Sequence, residues 1–186
     1  MFLKRQDPYL LVIGMTGAKM GDRLLQIGCA HGGRLAAIAS KVGLSGRALA
    51  VVPDEASAAR AQKGASDAGV LVEVEIAPPA RLPTENGSFD LAVVDDTAGL
   101  LGSMTPDDRV TSMREVARVL RPGGRVILMG SSPSGGLGRL FGGSAPPPFV
   151  GSDAASGALS DTGFKSVRTL AEREGLVFVE AVKPRE

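Results

Sequence analysis

Cysteine is almost missing from this chain: Cys29 is the only one in 186 residues. That excludes an intramolecular disulfide and any cysteine-cluster zinc site. His31 is the only histidine, which leaves a one-histidine metal site without partners. There is no Trp, a single Tyr (Tyr9) and six Phe, too few rings for a base-stacking nucleic-acid platform. Charge excess is missing too: 21 Lys and Arg face 20 Asp and Glu, for a net charge of +1. No basic surface therefore argues for nucleic acid as the main partner. Long apolar runs are lacking: near the start the longest is 10–13, far too short to span a bilayer. The charges of Lys4 and Arg5 are followed by Gln6, Asp7 and Pro8, not by the apolar core of a signal peptide. The expectation is a soluble cytoplasmic protein with one domain over 1–186, long enough to bury a sizeable core.

What is present alternates in type. Asp7-Pro8 reads as an N-cap and first helical residue, opening an N-terminal helical segment within 1–21 that is apolar nearly all round. A strand is expected over 24–27, then a helix over 33–42 with Leu35, Ile38, Ala39 and Val42 on one face. A second strand covers 48–52. Asp54 caps an alanine-rich helix that ends before Gly69. Residues 70–76 alternate like a half-exposed strand, and 89–94 read as a central strand, apolar on both faces. Thr105-Pro106-Asp107-Asp108 starts the next helix. Its expected buried stripe is Val110, Met113, Ala117 and Leu120, and its expected end is Arg121, before Pro122. A fifth strand covers 126–129. Residues 131–151 form a Gly/Pro-rich loop or lid, long enough to suggest function, with Arg139 and Phe141 at its tip and an extended run at 146–148. A short helix over 152–159 and an antiparallel pair, 165–170 and 176–182, close the chain. The fold class is α/β: a Rossmann-like doubly wound sheet, mostly parallel, with a C-terminal antiparallel hairpin strand.

The most informative stretch is Leu24-Leu25-Gln26-Ile27-Gly28-Cys29-Ala30-His31-Gly32-Gly33. A strand, a glycine turn and a helix N-terminus in that order hold the polar end of nucleotide-like ligands. Three more landmarks follow in register: 46–52 leading into Asp54, Leu82-Pro83 with Gly87-Ser88-Phe89-Asp90-Leu91, and Leu120-Arg121-Pro122-Gly123-Gly124-Arg125-Val126. Over most of its length, from about Gly21 onward, the chain resembles the class I S-adenosylmethionine-dependent methyltransferases, especially the small quinone-biosynthesis type.

The resemblance implies S-adenosylmethionine as cofactor, with Gln26, Gly28, Cys29, Ala30, His31, Gly32, Val52, Pro53, Pro79, Ala80 and Asp95 along its site. Gln26, Val52 and Pro78 stand where the family carries acids for the methionine ammonium, the ribose hydroxyls and the adenine side. An amide oxygen still accepts a hydrogen bond, without the charge that strengthens it; valine accepts none. Asp95 or Asp96, at the carboxyl edge of the sheet, orients the acceptor or takes its proton. Each has a plainer role as a cap of the following turn. Cys29 reads as a buried small residue, and His31 as a neutral turn residue at the site rim.

Two function classes stay open on these residues. The first is a methyltransferase acting on a small-molecule acceptor. The second is a non-catalytic methyltransferase-like domain with lost cofactor binding, acting as a binding or scaffold protein; a homodimer or a protein partner is compatible with either. A nicotinamide-dependent reductase is the weaker third reading, because Val52 removes its ribose acid and Tyr9 is followed at the reductase spacing by Ile13, not Lys.

Overall fold

The computed structural model describes residues 7–132 and 148–186. The chain runs α1 (Leu10–Thr16), β1 (Arg23–Ile27), α2 (Gly32–Ala39), β2 (Arg47–Val52), α3 (Glu55–Ala68), β3 (Glu73–Ile76) and β4 (Phe89–Asp95). It continues with α4 (Pro106–Val119), β5 (Leu120–Ser131), α5 (Asp153–Asp161), β6 (Lys165–Arg173) and β7 (Leu176–Val182). The seven strands form one sheet in the order β3-β2-β1-β4-β5-β7-β6. β1 to β5 are parallel, and β7 enters antiparallel between β5 and β6. The order reverses between β1 and β4, and at that switch point the carboxyl ends of the strands open a crevice.

Local chemistry sets the elements. Asp54 accepts a hydrogen bond from the Ser57 N–H and starts α3, which Gly69 ends at φ +65°. Thr105 caps α4 ahead of Pro106 and the acids Asp107 and Asp108, which complement the helix dipole. β4 and β5 are apolar on both faces because helices cover both. Leu25, Ile27, Val94, Val126 and Leu128 pack with Met113, Val116 and Leu159 on one side. Leu24, Leu91, Val93 and Ile127 pack with Val12, Ile38 and Val42 on the other.

Several boundaries differ from the sequence reading. α1 stops at Thr16 because Gly17 turns left-handed at φ +59°, so the helix does not reach Gly21. α2 stops at Ala39, short of Val42. β3 begins at Glu73, leaving Val70 and Leu71 in the approach. The buried stripe of α4 is Ser112, Met113, Val116 and Val119. It is rotated from the expected one because Leu120 has left the helix and pairs with Phe89 as the first residue of β5. Of the 131–151 segment, 133–147 lies outside the described residues, and with it Arg139, Phe141 and two of the three prolines. Residues 1–6 lie outside them as well.

The connection from β3 to β4 contains no helix among the described residues; α4 anchors it instead. Arg118 donates to Thr84 O (2.7 Å), Leu82 O (3.1 Å) and Asn86 Oδ1 (2.9 Å). Glu115 accepts from the Leu82 N–H at 2.8 Å.

Candidate functional site

β1 delivers the chain to Gly28, which turns at φ +79°. A Cβ there would lie 2.8 Å from Leu100 Cδ2 and 2.9 Å from Asp95 O, so only glycine fits so close to β4. The Gly28 N–H donates to Val51 O at 2.9 Å, which ties the turn to β2. α2 then starts at Gly32, and its N-cap His31 makes no side-chain capping bond. A Cβ on Gly32 would sit 2.3 Å from Arg60 O, and one on Gly64 2.3 Å from Gly32 backbone atoms. Two glycines therefore let α3 lie directly against the glycine turn.

That close approach brings Arg60 to the turn. Its Nη1 donates to Cys29 O at 2.9 Å and to Ala30 O at 3.4 Å. The facing wall comes from the end of β4. Asp95 is buried, 2% exposed. Its Oδ2 accepts from the Ala30 N–H (3.0 Å), and its Oδ1 from the Thr97 N–H (3.1 Å) and Oγ1 (2.6 Å). Arg34 Nη1 donates to Thr97 Oγ1 at 3.1 Å, and Ser131 Oγ to Thr97 O at 3.0 Å. Asp96 Oδ1 accepts from the N–H groups of Leu101 (2.5 Å) and Gly102 (3.2 Å). Arg109 grips the carbonyls of the same two residues. The 97–104 turn is thus held from below and from the side. Burial raises the Asp96 carboxyl from its ordinary value, against the lowering effect of the Gly102 and Leu101 N–H groups.

Between these walls lies a cleft of about 280 Å³, lined by Gly28, Cys29, Ala30, Pro53, Asp54, Ser57, Arg60, Asp95, Ala98, Gly99, Leu100 and Ser103. Pockets of ~300–1,000 Å³ hold typical small ligands, so this one is compact. A larger groove of about 480 Å³ lies at the opposite, amino edge of β2 and β3. It is not where ligands of open α/β sheets sit.

Of the residues singled out in the sequence, Gly28, Cys29, Ala30, Pro53 and Asp95 meet in the cleft. The others do not line it. Val52 is fully buried with Leu35, Ala50, Ala58 and Ala61. Gln26 is fully buried beneath the turn; its Nε2 donates to Gly28 O at 3.0 Å, and its Oε1 has no partner among the described residues. Gly32 serves the α2–α3 contact. His31 faces a different groove, with its ring 5.8 Å from that of Tyr9. Pro78 is exposed, Pro79 buried and Ala80 half-buried, away from the cleft. Asp96 turns to the backbone of its own loop. Cys29 is buried against Leu35, Ala50 and Ala58, and burial pushes its thiol up to about 11, away from the low range of reactive thiols.

Sequence reasoning passed over Arg60, Ser57, Leu100 and Ser103. One signal was available: Gly64, inside a helix where glycine costs about 1 kcal/mol, lies four residues after Arg60 and on the same face. It marks the side of α3 that approaches another backbone.

Residues 24–124 match the family model described as a methyltransferase domain. Over 117 residues the chain is 35% identical to 27-O-demethylrifamycin SV methyltransferase of Amycolatopsis mediterranei, covering 62% of this chain and 40% of that protein. Over another 117 residues it is 30% identical to a ubiquinone/menaquinone biosynthesis C-methyltransferase of Bordetella parapertussis, covering 63% and 43%. The chain spans between 32% and 56% of the length of the first curated relatives it matches. Its fold superposes on a SAM-dependent methyltransferase from Aquifex aeolicus with a TM-score of 0.72 at 21% identity, covering 95% and 93% of the two chains. The family match takes in the glycine turn, the Asp95 wall and the proline-glycine entry to β5. The chain belongs to the methyltransferase domain family, the class I S-adenosylmethionine-dependent methyltransferases.

Proposed function

We propose that the carboxyl-edge cleft binds S-adenosylmethionine and that the chain transfers its methyl group to a small-molecule acceptor. The observation that carries this reading is the position of the cleft: it opens on the Gly28–Ala30 turn at the β1/β4 switch point. The donor set fits the ligand's polar end. Asp54 and Asp95 place carboxylates in the walls for an ammonium or a hydroxyl group. Gln26 Oε1 is a buried acceptor without a partner directly below the turn, and leaving such a group unmatched costs about 1–3 kcal/mol. Arg60 supplies positive charge. The ribose acid of the family has no counterpart at Val52, so Asp54 is the carboxylate on that side.

When bound, the donor supplies an already activated methyl group, and the protein's task is alignment and exclusion of water. The Gly28 turn sets the ligand against β4. Asp95 orients the acceptor or receives its proton at a carboxylate oxygen, and the hydrogen bonds from Ala30 and Thr97 hold that carboxylate in place. Asp96 and Arg109 keep the 97–104 turn in position. Isothermal titration with S-adenosylmethionine tests the reading. Micromolar heat supports it, and no heat at millimolar concentration refutes it.

A second reading, a methyltransferase-like domain that has lost its donor and serves as a binding partner, is favoured by one contact. Leu100 rests on Gly28 where a ligand would approach. Transfer of label from a methyl-labelled donor to any acceptor eliminates it.

A further inference from the structure

In a glycine-turn site the main-chain amides are the usual seat for a ligand's negative end. Here the Ala30 amide is already taken by Asp95 Oδ2. The N–H of Gly28 is taken by Val51 O. Two of the turn's main-chain amides are thus already engaged within the protein. Arg60 is the only cation lining the cleft among the described residues.

Its guanidinium is anchored through Nη1 alone, and no ion pair engages it among the described residues. Nε and Nη2 remain as a fork of donors, the geometry that matches a carboxylate. Asp54 does not neutralise it. That carboxylate is held low chiefly by the Ser57 N–H, with the field of Arg60 a lesser cause. The two opposite charges thus flank one cleft without pairing with each other. With Asp54 assigned to the ribose side, Arg60 is left to meet a ligand carboxylate.

We propose that Arg60 is the specificity-determining residue for the carboxylate of the ligand in this cleft, a role moved from the turn's amides to α3. This rests on the donor reading above. The same carboxylate chemistry could come from the donor's amino-acid end or from an acidic acceptor, and paired probes separate the two sources. S-adenosylhomocysteine carries the amino-acid end; 5′-methylthioadenosine has the same nucleoside and thioether without it.

The test is titration of both compounds into wild type, Arg60→Gln and Arg60→Lys, with melting curves to show each is folded. Arg60→Gln keeps an N–H donor for Cys29 O while removing the charge. Expected is a loss of about tenfold to hundredfold for S-adenosylhomocysteine in Arg60→Gln, partial recovery in Arg60→Lys, and no change for 5′-methylthioadenosine. Added salt should weaken S-adenosylhomocysteine binding to wild type and leave Arg60→Gln nearly flat. Equal loss for both compounds would reduce Arg60 to a support of the turn and overturn the proposal. So would an affinity of Arg60→Gln for S-adenosylhomocysteine equal to that of a wild type that binds it. If wild type binds neither compound at millimolar concentration, the donor reading itself falls and takes this one with it.

Discussion

β4 carries an aspartate at each end of its apolar run, and the two are used differently. At the amino edge, Asp90 is matched by whole side chains. It accepts from Arg23 Nε (3.1 Å), Arg23 Nη2 (3.2 Å), the Arg23 N–H (2.8 Å) and Arg121 Nε (2.5 Å). At the carboxyl edge, Asp95 is matched almost entirely by the main chain and hydroxyl of the turns beside it. The first arrangement ties three elements together, β1, β4 and β5, through one carboxylate. The second positions turns around a cleft and leaves Gln26 Oε1, Asp54 and part of Arg60 facing it or lying beneath it. The amino edge holds the sheet, and the carboxyl edge is arranged to meet a ligand.

The strongest way to break that contrast is to force the family's missing acid back into β2. Val52→Asp restores the residue in sequence, but the side chain is fully buried in an apolar cluster. An unpaired carboxylate there should cost about 3–5 kcal/mol. Urea unfolding should show that loss, with no gain in donor affinity. Asp90→Ala should cost about 2–3 kcal/mol by the same measurement. Its pH dependence carries the sign. The Arg23 hydrogen bond holds the Asp90 carboxyl well below the usual carboxylate range. Its stabilisation is complete above the unfolded value of about 4 and is lost as pH falls towards the folded one. The gap between wild type and variant should therefore narrow in acid.

Gly64→Ala comes next. Helix propensity favours the change by about 1 kcal/mol, yet the new methyl would meet Gly32 backbone at 2.3 Å. A net loss of about 1–2 kcal/mol is expected, together with weaker ligand binding because Arg60 moves off the turn. Smallest is Gln26→Leu. It removes one hydrogen bond and one orphaned oxygen together, so stability should change by less than about 1 kcal/mol. Donor affinity should fall if Oε1 serves the ligand, which calorimetry reads directly.

Much of the fold was legible because local signals agreed with it. The Asp54 and Thr105 caps, the Gly69 stop, the parallel strand runs and the closing antiparallel pair all stand where the residues point. The ends of α1 and α4 were not. Gly17 and Gly21 are equally good stops in sequence, and Leu120 suits a helix stripe as well as a strand. In the site, Gly28 announced itself through its turn. Val52 did not reveal its direction, because a strand covered on both faces has no polar alternation to give the facing. Arg60 reaches the cleft only through the tertiary contact of Gly32 with Gly64, and spacing alone does not place an arginine on one wall of a cleft formed by three turns.

Amide hydrogen exchange with and without saturating S-adenosylhomocysteine tests the placement of the site most directly. Slowed exchange should be confined to 28–31, 57–60 and 97–103, with the amino edge around Asp90 and Gly123 unchanged. Protection at the groove lined by Leu44 and Leu71, or no change at the Gly28 turn under conditions where calorimetry shows binding, would contradict it.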